Sequence, residues 1–386
     1  MKPEASPQVS SRVAFAVRAA LVVLLLVAGA ALVPRLWCGR DAHRYFAGDL
    51  GAQRALADSV ADFVRAGVGS ASFSTGSRRF DAEWAFGTHQ MAALGLGQLV
   101  LAHPELRGEY LPVIERCAQR LLAPESLAFG AEAWGEAPLE ALASAHGHAY
   151  LGYLNLALSM LTRLDPRNRF AGTNEAITEA LARRLRESPH GIIETYPGEA
   201  YPADLAAVLG SIGLFDRARG TDHSALLAAT AAQLRGPFRD ASGLLHQSVD
   251  AGSGRPTSPG RGSGTAFAVF SLSFWDPGLA RELFSGCAAH RESLLGFGAV
   301  REYPIGVSGR GDIDSGPVVL GVSVSATGFA LAGARLAGDE RLFTELFRTA
   351  ELFGVSVWRP GRTRFLSGGP LGNAILLAML TSGGAR

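Results

Sequence analysis

Apolar residues recur at helical spacing in about twelve stretches of this chain, and the connections between those stretches alternate in length. The spacing predicts helices over 51–66, 81–102, 107–122, 139–164, 168–187, 202–218, 222–235, 264–275, 277–290, 317–336, 338–353 and 370–381. Each odd helix is joined to the next even one by a long loop: 67–80, 123–138, 188–201, 236–263, 291–316 and 354–369. Even-to-odd joins are short, as at His103–Leu106, Asp165–Asn168 and Ala337–Asp339. Short joins make antiparallel neighbours. The alternation therefore sends the long loops to one end, where every even helix begins. Even helices are rich in small residues, as in Val319–Gly333, which suits a crowded inner ring. The pattern predicts an all-α fold, an (α/α)6 toroid of two concentric rings. Its mouth would be lined by the long loops and by positive helix ends. A two-domain helical array is the alternative, and no fixed-period repeat supports a solenoid. Leu244–Val249, Val300–Tyr303 and Thr363–Leu366 read as short strands within loops.

Residues Ala19–Val33 form an unbroken apolar run, and with Val13–Val17 they make about one bilayer span if Arg18 snorkels. Residues 1–40 are thus expected to be a tail plus anchor, with 41–386 as the helical domain. Arginines flank the run on both sides, and Ala28-Gly-Ala30 resembles a signal-peptidase site. The expectation is a single-pass anchor with the body outside the cytoplasmic membrane, or a secreted or periplasmic body if the segment is cleaved. Net charge is +1, from 36 basic and 35 acidic residues, with no basic tract, so no nucleic-acid partner is expected. Cys38, Cys117 and Cys287 are widely spaced and form neither a zinc pattern nor a disulfide framework. No P-loop, HExxH, GxSxG or dinucleotide fingerprint is present, and neither cofactor nor metal is expected.

In a chain only 18% charged, Glu194-Thr-Tyr-Pro-Gly-Glu-Ala-Tyr-Pro-Ala-Asp204 packs three carboxylates and two tyrosines into one loop that runs into a helix. Pro202 suits the first helical turn. Asp204 follows in that turn, at the positive end of the dipole, where a carboxylate is expected to stay ionised and to suit a general base. A plain helix-start residue is the alternative reading. Glu194, Glu199 and Tyr201 of the same loop are candidate proton carriers, and Thr195 and Tyr196 candidate substrate contacts.

Further polar residues fall where the mouth is expected. They are Asp81, Glu83, Trp84 and His89 on the second helix, and His146, His148, Tyr150, Tyr153 and Asn155 on the fourth. His146, Tyr150 and Tyr153 would share one helix face. Satisfied core residues are the alternative. Asp312 and Asp314 alternate before Ser315-Gly-Pro317, as helix caps, as a partial cation loop or as substrate ligands. Loop 251–264 is Gly-rich and basic: either a solvated loop, or a lid in which Arg255 or Arg261 touches an anionic group.

Several local patterns resemble the linalool dehydratase/isomerase family, from about Asp62 to Thr381. They are Leu94-Gly-Leu with Pro104-Glu-Leu-Arg107, Tyr150-Leu-Gly-Tyr-Leu-Asn-Leu156, Ile193–Asp204 leading to Asp216-Arg-Ala-Arg-Gly-Thr-Asp222, and Asp312–Gly316 followed by Gly338-Asp-Glu-Arg-Leu-Phe343. The resemblance implies an (α/α)6 toroid, a pocket at the mouth and a homo-oligomer. It sets Tyr153 where the family has a histidine, Thr195 and Asp204 where it has cysteines, and Asp62 at its N-terminal aspartate; Val68 replaces a tyrosine. The location carries over while the thiol chemistry does not.

Three functions remain open at this point. The first is acid/base lyase or isomerase chemistry on an alcohol or lipid, with Asp204 as base aided by Tyr153, Tyr201 and Glu199. The second is hydrolysis of an envelope glycan between carboxylates such as Asp204 and Asp312 or Asp314, at ~5–9.5 Å separation. Trp84 and Trp134 would be its sugar platforms. The third is a non-catalytic binding protein on the same fold.

Overall fold

The structure is a computed structural model that describes residues 7–143 and 146–383. It is mostly helical. The order is α1 (Pro7–Trp37), α2 (Ala42–Ala47), α3 (Leu50–Ala66), α4 (Arg78–Ala102), α5 (Arg107–Leu121), α6 (Pro124–Trp134), α7 (Leu151–Leu164), α8 (Ala171–Glu187), α9 (Pro202–Arg219), α10 (Ser224–Arg235), α11 (Gly262–Leu272) and α12 (Pro277–Ala289). Then come hairpins β1–β2 (Arg291–Leu294, Phe297–Val300) and β3–β4 (Val318–Val319, Val322–Ser323), α13 (Val324–Ala337), α14 (Glu340–Gly354), hairpin β5–β6 (Ser356–Arg359, Arg362–Phe365) and α15 (Gly369–Thr381). Helix α1 is long and apolar enough to cross a membrane, and its apolar stretch is not buried against the body.

Helices divide by how they are buried. Every residue of α9 from Leu205 to Phe215 is buried, so that helix is covered on all sides. Helix α14 instead buries a stripe that includes Leu342, Phe343, Leu346 and Phe347. The covered set packs in sequence: α4 on α7, α7 on α9, α9 on α11, α11 on α13, α13 on α15, and α15 on α4. Helices α3, α5, α8, α10, α12 and α14 each pack on one or more of these. Small residues permit the close approaches. A Cβ on Gly152 of α7 would stand 2.8 Å from the Val208 amide of α9, and one on Gly210 of α9 would strike the Ser271 carbonyl of α11.

Buried polar bonds then fix the rotation of α7. Asn155 donates to Ser211 Oγ on α9 at 3.1 Å and to Thr178 Oγ1 on α8 at 2.9 Å, and it accepts from Asn174 at 2.7 Å. Satisfied networks of this kind favour one arrangement over others.

Three boundaries differ from the sequence reading. The helix expected over 139–164 begins at Leu151, because Gly147 and His148 both take positive φ and cannot continue a helix. The helix expected from 317 begins at Val324; the residues before it form hairpin β3–β4, whose β-branched valines suit strands. Part of the loop expected over 123–138 is α6, opened by Pro124 at its first turn and closed by left-handed Gly135. All three cysteines are free and buried.

Candidate active site

Asp204 occupies the first turn of α9, as the sequence reading placed it. Its side chain does not cap that helix. Instead its oxygens accept from Tyr153 Oη of α7 at 2.5 Å and from the Thr195 hydroxyl of the preceding loop. Gly152 brings α7 against α9 one residue before Tyr153, and Asn155 locks the helix two residues after it. Thr195 is placed by its own backbone: its amide donates to the Glu199 carbonyl at 2.8 Å, and its carbonyl accepts from Trp134 Nε1 at 2.9 Å.

The electrostatics overturn the expectation that the helix dipole keeps Asp204 strongly acidic. Burial disfavours its charge, and Glu83 adds repulsion. The bonds from Thr195 and Tyr153 offset this only in part, so the carboxyl is pushed up to about 6. Burial and the Asp204 charge together push the Tyr153 phenol well above its ordinary range, so it remains a neutral donor.

Glu83, two turns into α4, accepts from Tyr196 Oη at 2.6 Å and pairs with Arg79, whose guanidinium lies 3.9 Å from the Tyr196 ring centre. Asp314 completes an acidic group. Solvent reaches it, yet protein crowds its carboxyl. Burial first, then repulsion from Asp312, Glu83 and Asp204, raises it to about 6 against the pull of Arg261. Among the described residues that carboxylate has no hydrogen-bond donor. Asp312, two residues away, is handled differently. Burial pushes it up, but Arg261 and the Ser315 amide outweigh that and hold it at about 2. Arg261 bonds Asp312 through both terminal nitrogens, at 2.6 and 3.1 Å, and Glu302 through Nε at 2.6 Å. Glu302 is fully buried and also accepts from Ser263 and Ser323, each at 2.6 Å. A guanidinium thus fills the place for which the sequence suggested a cation. The cap of α13 is Ser323, not either aspartate.

The wall beside Tyr153 is aromatic. Phe267 of α11 stacks on it at 5.2 Å, and Phe329 of α13 stacks on Phe267 at 4.7 Å. Tyr150 and Tyr196 stack at 6.3 Å.

No protein-family model matches this sequence. No curated protein matches it either.

Other expected residues lie outside this cluster or act differently. Asp62 on α3 is held by Arg362 at 3.0 Å, with Arg65 and Arg364 nearby. His89 is buried; its Nε2 bonds the Val68 carbonyl at 2.9 Å, and burial lowers its basicity. Trp84 packs edge-on against Phe73, 5.8 Å away. His148 is buried between Trp134, the Tyr150 hydroxyl at 3.0 Å and Glu136 at 3.0 Å, and burial holds it towards neutrality. Trp134 covers His148 with its ring and so offers no open platform there. His146, expected on the face of Tyr153, precedes α7 and is exposed. Glu194 contributes its backbone carbonyl to the Ala149 amide. Glu199 is exposed, and its carboxylate takes the Tyr201 hydroxyl. Sequence reasoning named Glu83 without a specific role and offered Arg261 only as a lid residue touching an anionic group; the structure sets Arg261 on two carboxylates of the chain itself. Arg261 sits in a basic, glycine-rich loop whose pattern favours a solvated side chain.

Proposed function

We propose that this chain is a membrane-anchored enzyme on an (α/α)6 toroid, with acid/base lyase or isomerase chemistry on an alcohol or lipid-like substrate at the toroid mouth. The successive packing of α4, α7, α9, α11, α13 and α15, with α3, α5, α8, α10, α12 and α14 packed on these, supports the toroid. The exposed apolar length of α1 supports the anchor. The resemblance to the linalool dehydratase/isomerase family, which begins at about Asp62, agrees with the toroid.

One observation carries the chemistry. The Asp204 carboxylate, raised to about 6, is gripped by two hydroxyls, and a second carboxyl of similar acidity, Asp314, lies within reach of its charge. Groups poised near neutral pH are suited to exchange protons during catalysis. In the elimination direction, Asp204 takes a proton from the carbon next to the carbinol. The C–H electron pair becomes the new double bond, and the hydroxyl leaves as water with a proton from Asp314. A proton then returns from Asp204 to Asp314, through Tyr153 or through water. Reversal of these steps gives hydration, and re-addition of the proton and the released water at other carbons of the new alkene system gives an isomeric alcohol. Phe267 and Phe329 beside Tyr153 favour an apolar substrate over a sugar.

Glycoside hydrolysis stands second, on the ground that two carboxyls near 6 would also suit a general acid and base. The test incubates the full chain in detergent with apolar allylic and tertiary alcohols, and separately with envelope glycan fragments. Mass spectrometry follows loss of water or deuterium uptake, with Asp204→Asn as the blank. Alcohol turnover lost in the variant supports the proposal. Glycan cleavage lost in the variant selects the second reading, and no turnover of either class removes both in favour of a binding role.

A further inference from the structure

Hairpins β1–β2 and β3–β4 turn through Leu295-Gly296 and Leu320-Gly321, two-residue loops between the pairs Leu294↔Phe297 and Val319↔Val322. Both residues of each loop have positive φ: 53° at each leucine, 83° at Gly296 and 84° at Gly321. Such turns favour Asn-Gly, because a leucine side chain crowds its own backbone there. The leucines gain nothing from the core in return. Leu295 is 55% exposed and Leu320 is 93% exposed. A third apolar residue, Val355, repeats the pattern after α14 with φ 53° beside exposed Phe353. Local preference and burial both argue against these side chains, which directs attention to something outside the chain.

Their position says what that is. Gly296 lies against Arg35, near the end of α1, and its carbonyl accepts from Arg348 of α14 at 3.1 Å. Arg40, just past α1, lies 4.0 Å from the Trp37 ring and 5.9 Å from that of Trp358 on β5. Glu351 of α14 accepts the Gly39 amide at 2.5 Å. The apolar helix therefore leaves the body beside the β1–β2 tip, with tryptophans and arginines at the exit, the residues that suit a membrane–water interface. Hairpin β3–β4 is continuous with this face. Arg301 pairs with Glu292 of β1 at 3.2 Å and packs its guanidinium on Gly321. The segment from β2 to α13 carries exposed Ile305, Val319 and Leu320 together with Asp312 and Asp314.

We propose that the Leu294–Leu295 and Val319–Leu320 tips insert into the bilayer that α1 enters, so that the body lies on the membrane and the mouth receives an apolar alcohol directly from the lipid. This rests on the reading of α1 as a membrane anchor and deepens the proposed function by naming where the substrate is held. A lipid occupant is favoured over a protein because the tips adjoin a helix of membrane length and are interleaved with arginine and tryptophan.

The test uses the full chain in vesicles of phosphatidylcholine and phosphatidylglycerol. Leu295→Cys, Leu320→Cys, Leu25→Cys on α1 and Ala225→Cys on α10 are labelled singly with NBD; the three native cysteines are buried and leave the label to the introduced site. Lipids spin-labelled just below the headgroup are then added. Insertion to the depth usual for interfacial segments would quench labels at 295 and 320 by about twofold or more, and leave 225 unchanged. Labels at 295 and 320 as bright as that at 225, with 25 quenched by deep spin labels, would overturn the inserted tips and leave the anchor standing. The same result with a blue-shifted tip emission would mean a protein or a second copy covers the tips, and it overturns the proposal equally. If the label at 25 is also unquenched, the anchor reading fails and the tips fall with it. The double variant L295N/L320N provides a second check. Asparagine suits both turns, so a raised melting temperature is expected; a lowered one would show that the leucines serve the fold, contrary to the proposal.

Discussion

Two groups of carboxylates receive opposite treatment. Glu302 and Asp312 share one buried guanidinium, and Glu302 has two serine hydroxyls besides. Among the described residues, Asp204 and Asp314 have no cation bonded to them, and hydroxyls serve Asp204. The first group settles Asp312 at about 2, and the second leaves both aspartates at about 6. The fold pairs one set of acids with a cation and leaves the other two poised, and the contrast separates a structural clamp from the site proposed for chemistry.

Breaking the clamp has the largest expected effect. Arg261→Met leaves Glu302 buried and unpaired, and should destabilise the protein by about 3–5 kcal/mol in denaturant unfolding. Unfolding at the wild-type midpoint would refute the clamp. Next comes the lock that sets Tyr153 on Asp204. Asn155→Leu removes bonds to Thr178, Asn174 and Ser211, of which the last two keep other partners, and should cost roughly 1–3 kcal/mol. It should also weaken turnover in proportion to the loss of alignment between α7 and α9, read against a folded control.

The poised pair should respond in the opposite direction. Asp204→Asn removes a charge that burial disfavours, so at pH 8 the variant should equal or exceed wild type, by on the order of 1 kcal/mol, while losing turnover. A variant less stable at pH 8 than at pH 4, relative to wild type, would contradict this. The same logic fixes the pH profile. Asp204 and Asp314 titrate above the usual carboxyl value of 3.8, so the native state holds more protons than the unfolded chain between about 4 and 6, and stability falls as pH rises through that window. Asp312 titrates below that value, so its contribution is present above about 4 and is lost as pH falls towards 2. Melting temperature should therefore peak just below pH 4 as far as these groups decide it, where the Asp312 contribution is nearly complete and the losses at Asp204 and Asp314 begin. Asp204→Asn should flatten the alkaline limb and Asp312→Asn the acid limb; a profile unaffected by either would break the comparison.

Much of this was legible in the sequence. Apolar spacing placed α3, α5 and α9 nearly to the residue, and Pro202 before Asp204 marked the turn from which the site grows. Spacing misled at 139–150 and 317–323, because small and apolar residues keep a helical period through Gly147–His148 and Leu320–Gly321. Positive φ, which the period does not encode, breaks the helix there. The pairing of Arg261 with Asp312 joins side chains 51 residues apart across two loops, and no local pattern announces it. Nor does a motif report burial. The dipole argument gave Asp204 the right place and the wrong sign of shift, since desolvation outweighs a half-charge at a helix end. Asp62 shows the converse: an aligned position whose side chain is claimed by Arg362.

The central claim is that Asp204 exchanges a proton near neutral pH. Infrared difference spectra of the full chain, wild type minus Asp204→Asn, isolate its protonated carbonyl band across a pH titration. A band that disappears with a midpoint near 6, present in wild type and missing in the variant, is the expected result. A midpoint near 3.8, the ordinary value for an aspartate, would contradict the account and leave Asp204 as one more acid at the start of a helix.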